Sequence, residues 1–317
     1  MAQLERHGHT PETSTMATVK RVVREFKEDN TTDWAAALTY YAVLSLFPAI
    51  IAMVSIVGLI GNPQTVTRTL LDIVAQLGPE TGVQTFRGPI EQVTANRSGA
   101  GIGLIVGILL ALNAASNYVG AFMRASNQQY EVDEGRPFWK LRPLQIGITL
   151  VTLILVAITA MALVATGPVA EAVGNAIGLG STAIDIWQIA KWPVLLVIVS
   201  LIISILYYAA PNAKIKGFKF VTVGSAIALL VWLVASVLFA LYVANFGSYN
   251  KTYGTLGGVI GFLVWVWITN IAVLLGNKVN AERERTNQLK AGDERAEEEI
   301  QLPERDAPKL EKRPKTA

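Results

Sequence analysis

Asn113, Ser116, Asn117 and Gly120 are spaced i, i+3, i+4 and i+7 within an otherwise apolar run. On a helix this spacing puts two amides and a hydroxyl on one face, with Arg124 one turn further along. Amides in hydrocarbon need partners, so this face is expected to point into a bundle or a wet cavity. Two uses fit it: a polar path for a solute, or interhelical hydrogen bonds that hold the bundle together. A second group, Thr39, Tyr40, Tyr41 and Ser45, precedes Pro48. A proline deletes one helix hydrogen bond and crowds the carbonyl four residues back, here that of Leu44. Kinked helices line binding sites in transporters, although an inert kink is the other reading. The candidate polar path is therefore Asn113, Ser116, Asn117, Thr39, Tyr41, Ser45 and Pro48.

Other chemistry is missing. The chain has no cysteine, and its histidines are His7 and His9, near the start of a polar stretch. It has no HExxH, P-loop or GxSxG motif. No carboxylate pair falls inside an apolar run. The pattern argues against an ATPase, a metalloenzyme and a simple buried proton relay. The expectation is a protein that is not an enzyme, with no catalytic residue, no metal and no cofactor.

The elements that position these residues follow from composition. The 317 residues are 52% hydrophobic and 16% charged, against about 25% charged in a soluble domain. Uncharged runs lie at about 36–60, 101–123, 143–166, 192–210, 220–246 and 254–277. Each is close to the roughly 20 residues that cross a bilayer as a helix. The fold class expected is all-α: a polytopic membrane protein of six transmembrane helices. Only Arg68, Arg87, Arg97, Lys191 and Lys251 of the 27 Lys and Arg residues fall in the segments outside if the N-terminus is inside. Positive-inside charge therefore predicts cytoplasmic termini.

Amphipathic pieces flank the spans. Val19, Val22, Val23 and Phe26 share a helical face among Lys20, Arg21, Arg24 and Lys27. This predicts an N-terminal helix that lies on an anionic membrane surface or packs on the protein itself. Two short helices over residues 66–93, and another at Pro168–Ile177, are expected to cap the outer face. Three parts follow: a disordered tail at 1–16, the membrane domain at 17–285 and a charged disordered tail at 286–317.

Two further groups have assignable roles. Gly254, Gly257, Gly258 and Gly261, with Gly103 and Gly107, form small-residue patterns that let helix backbones approach closely. Lys214, Lys216 and Lys219 crowd one short loop. They are expected to contact lipid headgroups, of the membrane or of a substrate.

Several stretches carry a resemblance. Ala35–Pro48 reads AAALTYYAVLSLFP, Asn127–Trp139 NQQYEVDEGRPFW, Tyr207–Asn212 YYAAPN, Tyr253–Gly257 YGTLG and Leu274–Glu282 LLGNKVNAE. In this order they resemble the YihY/virulence factor BrkB family of bacterial inner-membrane proteins, from about residue 19 to 285. The sequence departs from the family at the fifth span, where Val223-Gly224-Ser225 replaces a common Pro-Gly-Ala. The resemblance implies a six-helix membrane fold. Members have been linked to serum resistance and suggested as transporters, including of envelope lipids. An older label, ribonuclease BN, finds no support in these residues, since no metal-binding cluster or basic RNA track is present. The expected function is a transporter or translocation facilitator for an amphipathic or lipid-like envelope substrate, with a non-transporting scaffold as the rival. The partners expected are membrane lipids and either a second copy of the chain or an envelope protein, with no nucleic acid.

Overall fold

The computed structural model describes residues 12–60, 97–164, 181–245 and 255–307. Within them are seven α-helices: α1 (Thr15–Glu28), α2 (Thr31–Ile60), α3 (Arg97–Gln129), α4 (Phe138–Val164), α5 (Ser181–Ala209), α6 (Val223–Asn245) and α7 (Thr255–Lys290). A 3₁₀ turn follows at Glu294–Glu297. Five stretches are long and apolar enough to cross a membrane: Ile105–Gln129, Phe138–Thr159, Ile184–Ala209, Val223–Val243 and Gly258–Lys290. The fold is all-helical and multi-pass. The expected capping helices at 66–93 and Pro168–Ile177 lie outside the described residues.

Local chemistry sets the helix ends. The Ser14 hydroxyl accepts from the Ala17 amide at 3.1 Å and caps α1. Asn30, at φ 51°, turns the chain between α1 and α2, a conformation that asparagine tolerates. Gly292, at φ 87°, ends α7, with the Asp293 amide donating to the Gln288 carbonyl at 3.1 Å. The same motif ends α3, where the Val132 amide donates to the Asn127 carbonyl at 3.0 Å. There the left-handed position is filled by Glu131, φ 56°, instead of glycine. At α6, Thr222 Oγ1 accepts from the Ser225 amide and Ser225 Oγ from the Thr222 amide, both at 2.9 Å. This reciprocal cap is what Ser225 supplies where the resembled family has alanine.

The chain forms two compact units. The first comprises Met1–Ala35, Val119–Leu233 and Ile271–Ala317, and the second Ala36–Tyr118 and Val234–Asn270. The core of the first unit is built on small residues, with Ala121, Ala125, Ala210, Ala213, Ala272 and Ala281 fully buried. Phe122 stacks on Tyr207 with ring centroids 6.2 Å apart, and the Tyr207 hydroxyl donates to the Val273 carbonyl. Gly224 meets Gly276: a Cβ on either would overlap the other's carbonyl oxygen. In the second unit, Tyr118 donates to Asn270 Oδ1 at 2.8 Å, and Asn270 Nδ2 to Thr39 Oγ1 at 3.1 Å. Large apolar side chains face outward instead, among them Leu230, Val234, Leu238 and Leu241 on α6. That reversal suits lipid-facing helices, since hydrocarbon imposes no cost on exposed leucine.

The structure departs from the sequence reading at three ends. The last helix runs to Lys290, where the span was expected to stop at 277. The fourth expected span is α5, which begins at Ser181, where 192 was expected; Lys191 is buried there and donates to Gln188 Oε1 at 2.9 Å. Residues 286–307, expected to be disordered, are held against the first unit. The Lys214 amide donates to the Pro303 carbonyl at 2.8 Å, the Arg305 amide to the Asn212 carbonyl at 2.7 Å, and Ile300 packs with Tyr130, Ala213 and Ala281. Sparse apolar anchors and backbone hydrogen bonds hold this strap, neither of which shows in a hydropathy pattern.

Candidate functional site

The first unit presents the two faces of α7 differently. On one, Lys278, Glu282 and Arg285 follow at i, i+4 and i+7 and are almost wholly buried. The Lys278 ammonium lies 2.9 Å from Asp29, 3.8 Å from Glu25 and 3.7 Å from Glu282. Arg21 reaches Glu282 at 3.1 Å, and Arg285 pairs with Glu131 and with Glu282 at 3.4 Å. With Arg24 on Glu25 at 2.8 Å and on Glu28 at 3.8 Å, four cations face five carboxylates. Removing water from these charges is costly, and the mutual attraction offsets it only while every partner stays.

The carboxylates differ in how burial and neighbours balance. Burial pushes the Asp29 carboxyl up, and Lys278 only partly offsets it, so its pKa stays raised. Burial also acts upward on Glu25, but the Arg24 hydrogen bond and the Lys278 and Arg285 charges win, and its pKa is lowered. The network pins α1 to α7, helped by the Thr18 and Thr286 hydroxyls 2.9 Å apart. The face of α1 that is buried runs through Ala17, Thr18, Val22 and Glu25, leaving Val19 and Val23 exposed.

Beside this network the resembled motifs interlock. Asn127 Oδ1 accepts from the Asn212 amide at 2.7 Å, and its Nδ2 donates to Glu134 at 2.9 Å. Asn212 Nδ2 donates to the carbonyls of Asp133 and Asp306, both at 2.8 Å, and its Oδ1 accepts from the Asp306 amide at 3.1 Å. Asn277 Nδ2 donates to Gln129 Oε1 at 2.8 Å. Burial acts upward on Glu134, but Arg136 at 2.6 Å outweighs it and lowers the pKa. These residues hold α3, α5, α7 and the strap in one arrangement.

The opposite face of α7 is open. Asn280, Arg283 and Asn287 follow at i, i+3 and i+7 and line a chamber of about 270 Å³. Its other walls include Tyr130, Tyr207, Tyr208, Lys216, Lys219 and Thr222. Burial, then the Glu284 charge, pushes the Tyr130 hydroxyl upward, so it stays protonated. Asn280 is committed: its Oδ1 accepts from the Gly224 amide at 2.9 Å and its Nδ2 donates to Thr222 Oγ1 at 3.1 Å. A second hollow, about 610 Å³, runs between α1, α6 and α7. It is lined by Val19, Val22, Val23, Ile227, Leu275 and Val279, with Arg283 and Lys290 at its edge. Val223, Arg283 and Asn287 line both hollows, so a basic polar chamber adjoins an apolar groove.

The residues expected from sequence are distributed unevenly. Lys216 and Lys219 are in the chamber wall, while Lys214 is exposed and does not line it. Thr39 and Ser116 are buried in the second unit, and Asn113 is exposed. Ser116 Oγ donates to the Asn113 carbonyl at 2.8 Å and Ser45 Oγ to the Ala42 carbonyl at 2.6 Å, both within their own helices. Asn117 and Tyr41 are half-buried, and Pro48 lies within α2. Among the glycines, Gly103 and Gly107 are in α3 and Gly257 is in α7, while Gly254 lies outside the described residues. A Cβ at Gly258 would meet nothing within 4 Å and one at Gly261 only Phe239 at 3.9 Å. Among the described residues, a close helix contact joins Gly224 and Gly276, on neither of which the sequence reading settled. Arg283 and Asn287 were also missed. Their signal was a second polar stripe on a helix read as ending too early.

A family model described as virulence factor BrkB matches residues 22–301. The ribonuclease-like protein YfkH of Bacillus subtilis is 30% identical over 248 residues, which is 78% of this chain and 88% of that protein. A UPF0761 membrane protein of Cronobacter sakazakii is 29% identical over 275 residues, 83% of this chain and 87% of the relative. Another, from Kangiella koreensis, is 25% identical over 265 residues, and this chain spans 62% of its length. No solved structure matches. A family match over residues 22–301, together with relatives that are membrane proteins, assigns the chain: it belongs to the virulence factor BrkB family of membrane proteins.

Proposed function

We propose that this protein is a translocation facilitator for an amphipathic, lipid-like envelope substrate in the bacterial cytoplasmic membrane. The observation that carries the reading is the adjoining pair of hollows, an apolar groove of about 610 Å³ beside a basic polar chamber of about 270 Å³. An amphiphile has both halves, and each hollow suits one of them. The groove lies along the first turns of α6, where the chain passes from the polar loop at 211–222 into an apolar helix. That is the depth at which headgroups meet tails.

In this reading α2, 30 residues long, is the sixth span, and both termini are cytoplasmic, as the Lys and Arg distribution argues. The chamber then opens toward the inner leaflet, and membrane lipids are the partners. The hydrogen-bonded Thr39, Tyr118 and Asn270 in the second unit supply polar contacts at membrane depth. The ribonuclease-like wording belongs to YfkH and is not carried over.

Proteoliposomes carrying fluorescent phospholipid test the proposal. Impermeant dithionite should bleach inner-leaflet probe faster with the protein than without it, and Ile227→Glu, which puts a charge into the groove, should remove most of the acceleration. No acceleration with any lipid headgroup tried would leave the scaffold role in its place.

A further inference from the structure

We infer that the chamber binds the phosphate headgroup of an anionic glycerophospholipid, whose acyl chain lies in the adjoining groove. The inference rests on the proposed amphiphile site, but it concerns recognition and does not require transport.

The argument starts from which cations are paired. Arg21, Arg24, Arg136, Lys140, Lys278, Arg285 and Arg295 each have a carboxylate within 4 Å. Among the described residues, several cations have none, Lys20, Lys27, Arg124, Lys214 and Lys290 among them; of the unpaired ones, Lys216, Lys219 and Arg283 line one chamber together. Glu284 is the one carboxylate among the lining residues, so the chamber is net positive. The charge does not come from the start of α6. The Gly224 amide is taken by Asn280 and the Ser225 amide by Thr222.

Two ammonium groups and a guanidinium suit a phosphate anion, which accepts several charge-assisted hydrogen bonds at once. The volume holds several water-sized groups, enough for a phosphodiester with a small polar substituent. Tyr130, Tyr207 and Tyr208 also line it. Arg283 and Asn287 also border the groove, so a phosphate held at Arg283 has its ester-linked chain directed along Val19, Val23 and Ile227. A free phosphate would use the chamber and leave the groove empty.

Lys214 provides the control. It belongs to the same loop and is also exposed, but it does not line the chamber. If the loop merely rested on an anionic surface, each lysine would contribute alike. The experiment is lipid retention by the purified full chain, counted by native mass spectrometry after exchange against dioleoyl phosphatidylglycerol or dioleoyl phosphatidylcholine.

Phosphatidylglycerol should be retained about 10-fold over phosphatidylcholine. Lys216→Gln, Lys219→Gln and Arg283→Gln should each reduce the preference about 5-fold, and Lys214→Gln should leave it unchanged. Equal retention of the two lipids, or a loss in Lys214→Gln matching that in Lys216→Gln, would overturn the inference. So would displacement of the lipid by millimolar inorganic phosphate, which would mark a free-anion site. Ile227→Glu separates the two levels. If it lowers retention of both lipids while no headgroup preference exists, the groove reading survives and the phosphate inference fails. If it changes retention of neither, both fail.

Discussion

The two faces of α7 use the same residue types for opposite ends. Lys278, Glu282 and Arg285 are buried among ion pairs, and they bind α1 to the helix end. Arg283, half a turn away, is exposed with Asn287 beside two hollows and has no carboxylate partner among the described residues. A buried network of ion pairs is committed to joining two helices, so its worth is positional. An open face with excess positive charge has capacity but holds nothing together. The comparison teaches that pairing, more than residue identity or exposure alone, separates architecture from site.

The comparison breaks most visibly at Lys278. Lys278→Met leaves Asp29, Glu25 and Glu282 together without their shared cation, and should cost about 3–5 kcal/mol, read as a large fall in detergent melting temperature. Lys216→Met, on the open side, should change stability by no more than about 0.5 kcal/mol. Comparable losses in both would erase the distinction.

Asn212→Ala is expected to rank next. Its side chain makes three hydrogen bonds to the 133 and 306 backbones, and stranding those groups should cost about 3 kcal/mol. Limited proteolysis should then cleave within 291–307 faster than in the wild type, with the chamber residues still in place. Glycine substitutions sharpen the packing side. Gly224→Ala would drive a Cβ into the Gly276 carbonyl and should cost about 1–3 kcal/mol. Gly258→Ala meets open space and should be neutral or mildly stabilising, because alanine is the better helix former by about 1 kcal/mol.

The smallest effect is the pH dependence of the interlocked loops. The Glu134 pKa is lowered from 4.5, so its contribution is complete above that value and is lost as pH falls through the folded-state pKa. Glu25 behaves alike. Asp29, raised from 3.8, runs the other way: its contribution is present in acid and fades as pH rises through its folded-state value. Strap protection should therefore weaken below about pH 4.5, measured by hydrogen exchange at 300–306, and Glu134→Gln should flatten that dependence.

Much of the fold was legible because hydropathy reports lipid-facing helices directly. Five apolar runs appear as helices of spanning length, and α1 lies where Val19, Val22 and Phe26 placed a helix. What hydropathy misses is burial by charge. The buried stripe of α7 beyond Asn277 is Lys278, Glu282 and Arg285, so the helix looked finished where its apolar residues stopped. The strap at 291–307 failed for the same reason, since Ala296 and Ile300 are its few apolar anchors. Of the site, Lys216 and Lys219 were visible as a crowded basic loop. Arg283 was not, because in sequence it sits between Glu282 and Glu284 and reads as neutralised. In space, Glu282 points to the opposite face.

The division of α7 into a buried and an open face is tested most directly by thiol reactivity on this naturally cysteine-free chain. Single cysteines at Arg283 and at Leu289 would be exposed to a membrane-impermeant maleimide in inside-out vesicles. Arg283→Cys should react rapidly, while Leu289→Cys, buried beside the ionic network, should stay unlabelled. Equal labelling of the two, or rapid reaction at Leu289→Cys alone, would contradict the account.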